Sequence, residues 1–474
     1  MKRINYLTTL IILLAGWMSC SVSELQAQRN ANYQQLSIGD QRPSQFFDFL
    51  VLPGNSDETV TFASVYSFSY RTLPFKKLNQ ASAANNDDKR AFFSPINLSM
   101  EVFNSNEAQL KKRDSNISVE RLEPAERSFW EDTAYAETYE QTQTELMFLY
   151  GNIGMELKPG IYTYVLQMTR GERSDPRISR TRTVRIDPYR DMEVGNVILG
   201  EELYSGQQEE NQLKLMSMRD NVKYGSDFYA FAYIPHYDPG DSYTLTIREL
   251  SITGKDTTKG EEVFVQKLGN NEIRTELKPQ LVSTGVNENI LQLASDSDGF
   301  TYALVEVPNS TFPNASYQLT IRDNSEQTVS RTTYHSMWID MPRSLLSLDI
   351  AIDMLRYIVD EATLDSLSEG SQSERERKFR AFWKKKDPTP DTEYNELMAE
   401  YYRRIDYAYQ NFSTSNRIGY ESDQGEVYIK FGPPQNIERK FPPSGSTVEI
   451  WSYPNREFIF RATSGFGDFR LVSE

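Results

Sequence analysis

Cysteine occurs once in these 474 residues, at Cys20, and histidine twice, at His236 and His335. A lone thiol excludes an intramolecular disulfide, and so few thiols and imidazoles exclude a zinc centre built from them. Stability must come from packed cores. Neither histidine has a recognisable serine and carboxylate partner, and no G-x-S-x-G elbow is present, so a Ser-His-Asp arrangement has no support. Gly432-Pro433-Pro434 is followed by no Lys-Ser or Lys-Thr pair and makes no phosphate loop. No cofactor and no metal are expected. The apolar run from Tyr6 to Met18 is too short to span a bilayer, and a mean hydropathy of -0.59 excludes a polytopic membrane protein. Excess positive charge is also lacking. With 67 acidic against 51 basic residues, the net charge of -16 repels nucleic acid, which is not expected as a partner. The basic run Lys384-Lys385-Lys386 reads as a solvated helix end.

What is abundant is aromatic: 28 Tyr and 25 Phe suit folded, strand-rich domains. The length fits roughly three domains of ~150 residues. Residues 1–28 read as an export signal, with Lys2 and Arg3 preceding the apolar run. Two processing routes stay open, cleavage after Ala27 or lipidation of Cys20, which follows Ser19 directly after that run. The expected location is outside the cytoplasm, in the periplasm, at the outer membrane or at the cell surface. Membrane association is expected only through a lipid on Cys20. Residues 29–45 are polar and lack periodicity, as a linker does.

Alternation begins next. Phe62, Ser64, Tyr66, Phe68 and Tyr70 share one face of a half-buried strand, and Ile96, Leu98, Met100 and Val102 share one face of another. A turn at Leu157-Lys158-Pro159-Gly160 delivers a strand with Tyr162, Tyr164, Leu166 and Met168 on one side. Residues 46–190 read as an antiparallel β-sandwich. In residues 191–340, Tyr229, Phe231 and Tyr233 alternate, and Asp238-Pro239-Gly240-Asp241 turns the chain into Tyr243, Leu245 and Ile247 as a hairpin. The phrase from Phe312 to Ile321 echoes that from Leu157 to Leu166, which points to a second sandwich in tandem. Asp296-Ser297-Asp298-Gly299 has a calcium-loop look, but Ala294 and Val305 stand where the outer ligands belong, so a tight turn is the expectation.

The period changes near Met341-Pro342. Leu348, Ile352, Leu355 and Val359 recur at helical spacing. Ser371 and Ser373 each precede a Glu by three residues, opening a helix with Phe379, Phe382 and Trp383. Asp391 or Thr392 caps a third helix with a stripe of Leu397, Tyr401, Ile405, Ala408 and Phe412. Strands are expected over 426–431, 447–453, 457–460 and 468–471. The fold class is thus mixed β and α+β: two tandem antiparallel sandwiches, then a helical segment and a small antiparallel sheet at 341–474.

The ordered series Phe382-Trp383, Asp387-Pro388-Thr389-Pro390, Asn395-Glu396, Tyr401-Tyr402, Tyr407-Ala408 and GYESDQG resembles the GWxTD domain of exported, Bacteroidota-type proteins. The name maps onto Gly419, Tyr420, Glu421, Ser422 and Asp423, with Tyr for Trp and Ser for Thr. Gly425, Gly432, Pro433, Pro434 and Trp451 complete the signature. The resemblance supplies no biochemical activity. From the residues themselves, Gly419 is expected at positive φ, Tyr420 in a core slot, and Ser422 and Asp423 shaping a turn into a strand. Trp383 and Trp451 are expected in cores. The acidic alternative places Glu396, Glu421 and Asp423 around a cleft. The reading that follows is a non-catalytic binding or scaffolding protein whose partner is an envelope protein or glycan. Its rivals are a carboxylate-based hydrolase of envelope glycans or peptides and a glycan-binding sandwich protein.

Overall fold

The computed structural model describes residues 43–78, 90–111, 117–171, 177–205, 211–253, 256–282, 287–414, 417–442, 445–463 and 468–473. The signal segment, Cys20, Ala27 and most of the expected linker lie outside them. Two compact units are present, one spanning Pro43–Asp340 and the other Met341–Glu474. The protein is mostly β, with several antiparallel sheets, helices concentrated in the C-terminal unit and a four-stranded sheet at the end.

In the first unit, β1 (Gln45–Pro53), β2 (Val60–Ser69) and β6 (Phe148–Leu157) form one antiparallel sheet in the order β1-β2-β6. The linker expectation therefore overruns the start of β1, which takes in Gln45. A second sheet holds β3 (Lys76–Lys77), β4 (Phe92–Asn104), β5 (Pro124–Ala136), β7 (Gly160–Arg170), β8 (Arg177–Ile178) and β9 (Arg182–Ile186). Phe62 packs edge-on to Tyr164 of β7 at 5.3 Å, and Tyr66 edge-on to Trp130 of β5 at 4.9 Å. On the opposite side of β2, Ala63, Val65 and Ser67 are also buried. The strand is therefore buried on both faces, where alternation predicted burial on one. The reason is a further layer behind it. Ser67 Oγ donates to the Ser217 carbonyl at 2.8 Å, and Asn289 Nδ2 donates to the Tyr66 carbonyl at 3.3 Å.

That layer is a closed six-stranded barrel: β10 (Val197–Ser205), β11 (Asn211–Leu215), β17 (Ile290–Ser295), β16 (Ile273–Val282), β18 (Phe300–Val307) and β13 (Phe228–Tyr233), each antiparallel to its neighbours. Beside it runs a five-stranded sheet in the order β12 (Asn221–Lys223), β20 (Thr328–Met337), β19 (Ser316–Arg322), β14 (Tyr243–Thr253) and β15 (Asp256–Leu268). Closure removes open edges from the barrel, and only long-range pairing can specify it. Phe231 and Tyr302 stack at 4.3 Å, and the Tyr302 hydroxyl meets that of Tyr189 at 3.0 Å. The two β regions of the sequence share one apolar core, which runs from Leu50 and Phe62 through Tyr189 to Leu291 and Tyr302.

One turn differs from expectation. Asp238–Asp241 joins β13 of the barrel to β14 of the five-stranded sheet, so it changes layer and makes no hairpin. The turn at Lys158-Pro159 delivers the strand expected after it, passing from β6 in one sheet to β7 in the other. The echo between the two β regions has a physical basis: the Tyr162 hydroxyl donates to the Lys158 carbonyl at 2.9 Å and the Tyr317 hydroxyl to the Pro313 carbonyl at 2.6 Å. Both are tyrosine corners, a phenol clamping the backbone four residues upstream where the chain crosses between layers. Asp296–Gly299 is a tight turn, with the Gly299 amide on the Asp296 carbonyl at 2.8 Å.

Single helical turns, α1 (Glu107–Leu110) and α2 (Tyr139–Thr142), decorate the first unit. The C-terminal unit begins with α3 (Leu348–Asp353), continued by a 3-10 turn to Tyr357, and then α4 (Glu361–Ser368). Next come α5 (Gln372–Lys384) and α6 (Glu396–Phe412). Ser371 caps α5 reciprocally with Glu374 in a capping box. The cap of α6 is Asn395, not Asp391 or Thr392. Its Oδ1 accepts from the Met398 amide at 2.8 Å, while its Nδ2 donates to the Trp383 carbonyl at 3.0 Å, tying the start of α6 to the end of α5. In the α6 stripe Tyr401, Ile405 and Ala408 are buried, whereas Leu397 is exposed. Residues Asp423–Phe431 form α7, a helix where a strand was expected over 426–431. The sheet is β21 (Asn436–Lys440), β22 (Val448–Tyr453), β23 (Arg456–Ala462) and β24 (Phe469–Ser473), antiparallel in chain order.

Candidate functional site

The signature occupies the descent from α6 into α7. Gly419–Glu421 form one 3-10 turn, and the Ser422 side chain caps α7. The Ser422 hydroxyl donates to the Gly419 carbonyl at 2.7 Å and accepts from the Gly425 amide at 2.9 Å. Gly419 is not at positive φ, as had been expected. It is needed for space, because a Cβ there would lie 2.0 Å from the Ala408 carbonyl oxygen of α6. Gly425 faces the same limit, with the Gly419 oxygen 1.9 Å from where its Cβ would be. Three backbone segments thus touch without side chains between them. Gly432, at φ 77, ends α7 and Pro433-Pro434 keeps the helix from resuming.

Tyr420 is almost fully buried in the helical core, and its carbonyl accepts from the Tyr357 hydroxyl. Burial pushes its phenol well above the usual range. Two more phenols do the same for the end of the first helical segment: Tyr402 Oη donates to the Ala351 carbonyl at 2.6 Å and Tyr401 Oη to the Met354 carbonyl at 2.5 Å. These carbonyls lie where helix-end acceptors lack intrahelical partners, so the tyrosines serve as caps from a neighbouring helix. Tyr407 stacks on Tyr428 at 4.3 Å, and burial raises the Tyr428 phenol to about 12.

The three acidic residues have separate partners. Asp423 accepts from Arg417 Nη1 at 2.9 Å and from the Leu471 amide at 2.8 Å, with Arg470 Nη1 at 3.6 Å. It ties the first turn of α7 to the last strand. Glu421 lies 3.8 Å from Arg356 Nη1. Glu396 accepts from the Thr389 hydroxyl at 2.6 Å and closes the Asp387–Pro390 turn onto α6. Among the described residues, no three His, Cys, Asp or Glu side chains gather closely enough to hold a metal ion. His335 meets Ser316 across two strands at 3.2 Å, its imidazole pushed down by burial, and His236 sits in a turn at φ 52.

The most enclosed carboxylate of the unit, among the described residues, is one the signature does not contain. Glu449, buried on β22, accepts from Gln424 Nε2 at 2.9 Å, Trp451 Nε1 at 2.6 Å, and Arg439 through Nε at 2.9 Å and Nη2 at 2.6 Å. Four donors from α7, β21 and β22 converge on one carboxylate, the condition under which a buried charge is tolerated. A trace was in the sequence: Glu449 stands two residues from Trp451, on the same inward face of a period-two strand. Trp451 itself packs with Val427, Phe458 and Phe460 between helix and sheet, and Trp383 is buried in the helical core.

Residues 315–467 match the GWxTD domain. The chain is a GWxTD domain-containing protein. A search of curated proteins finds none that matches it.

Proposed function

We propose that this is an exported, non-catalytic binding or scaffolding protein of the cell envelope, with a β-rich unit carrying a C-terminal GWxTD domain. The observation that carries the reading is the engagement of the polar groups of the signature and of Glu449 beside it. Ser422 caps a helix, Asp423 joins helix to strand and Arg417, and Glu449 binds Trp451 and Arg439. Groups so engaged build a rigid surface, because displacing any one leaves a buried or half-buried partner unsatisfied. A β-rich unit whose apolar core passes from one sheet layer into the next suits the presentation of such a surface. Export rests on the composition of the first 28 residues, and the partner class is an envelope protein or glycan.

The test is affinity purification of the tagged full-length protein from envelope fractions after mild crosslinking, with mass spectrometry of its N-terminus and of everything recovered. The expected result is a processed N-terminus and a stoichiometric envelope partner. Recovery of the processed protein alone, together with turnover of a cell-wall fragment, overturns the reading in favour of a hydrolase.

A further inference from the structure

A pocket of about 300 Å³ opens on the rim of the second sheet, lined by Arg71, Leu73, Pro74, Met168, Arg170 and Arg177, with Thr72 between the first two. Among the described residues its charged lining consists of three arginines and no carboxylate. That is unusual for a chain of net charge -16. Two other clefts of this unit carry acids in their walls: Asp57, Asp296 and Asp298 in one, Asp48 and Asp220 in the other. The three guanidinium groups come from separate chain segments, the 3-10 turn after β2, the end of β7 and the short strand β8. Tertiary structure therefore assembles the charge.

Two of the three are held in place. Arg170 Nη1 donates to the Thr72 carbonyl at 2.8 Å, and Arg71 Nη1 pairs with Glu145, which stands outside the lining. Arg177 is exposed and makes no ion pair with any described carboxylate. Leu73 and Met168, both buried, give the pocket an apolar floor. Guanidinium forks match the oxygen pairs of carboxylate and phosphate, and anchoring a fork beforehand lowers the entropy lost on binding.

We propose that this pocket binds the oxyanion group, carboxylate or phosphate, of a small ligand of about monosaccharide size. The charge selects the anion, and the Leu73 and Met168 floor receives the body that bears it. The inference is independent of the role of the C-terminal unit.

Ligand-observed saturation-transfer NMR on the full chain tests it, with glucose 6-phosphate, glucuronate and uncharged glucose as probes at constant ionic strength. Saturable binding of at least one charged probe below about 10 mM is expected, with glucose at least about ten-fold weaker. Which charged probe binds more tightly separates a phosphate from a carboxylate ligand. Arg177→Gln, an exposed change, should weaken that binding about ten-fold with an unchanged far-ultraviolet circular dichroism spectrum, and Arg71→Gln should do likewise. Equal binding of glucose, no saturable binding of either anion, or undiminished binding in both variants overturns the proposal.

Discussion

Asp48 shows how one side chain reports on the joint between layers. Its carboxylate, on β1, accepts from the backbone amides of Arg219 at 3.0 Å and Asp220 at 3.2 Å. The receiving loop has Ser217, Arg219 and Asp220 at φ of 51, 51 and 54, a conformation costing roughly 1 kcal/mol or more at each residue. Burial is the main reason the Asp48 carboxyl is raised from 3.8 to about 6, with Asp220 adding repulsion, while the two amides and Arg219 oppose it. Because the folded form holds its proton more tightly than the unfolded chain, its contribution is complete below about pH 4. It is lost as pH rises through 6. Asp48→Asn should remove a fall of about 2 kcal/mol between pH 4 and 7, read as the pH dependence of the difference in urea midpoint between wild type and variant. A constant difference would refute the assignment. Glu449 is tied by four donors: Glu449→Ala leaves the buried Trp451 indole and the Gln424 amide without their acceptor and should cost about 3 kcal/mol in urea unfolding.

At the scale of elements, the tyrosine corners turn a faint repeat in the sequence into a measurable device. Tyr162→Phe and Tyr317→Phe each delete one hydroxyl and strand one carbonyl, and each should lower stability by about 1–2 kcal/mol. If the two corners are equivalent, the losses agree to within about 1 kcal/mol. β4, with Ile96, Leu98, Met100 and Val102 on one face, was legible from period two, and α5 from its capping box. The misread element, α7, explains the limit. Val427 packs toward the sheet with Trp451, whereas Ile429 packs into the helical core with Tyr402 and Ile405. A helix buried on two sides places apolar residues two apart and so imitates a strand. Its Ser422 cap and Gly432 terminus were the better guides. β21, exposed at all five positions, has no alternation to read, and barrel closure depends on partners distant in sequence. Within the candidate site, Tyr420 and Trp451 were legible as core aromatics, whereas the partners of Asp423 and Glu449 depended on the tertiary fold.

For the whole molecule, the proposed binding role rests on the GWxTD signature being a set of structural ties. Asp423 is the most exacting place to test it, since that residue belongs both to the signature and to the acidic alternative. In the full chain, Asp423→Asn keeps the shape but weakens the pairing with Arg417 and Arg470 and one acceptor for the Leu471 amide. Thermal unfolding of this variant is the decisive measurement. A melting temperature about 3 °C or more below wild type is predicted, since a half-buried, multiply bonded carboxylate is worth about 1–2 kcal/mol. An unchanged melting temperature would contradict the account, for it would mean that this carboxylate holds nothing together and is kept for chemistry.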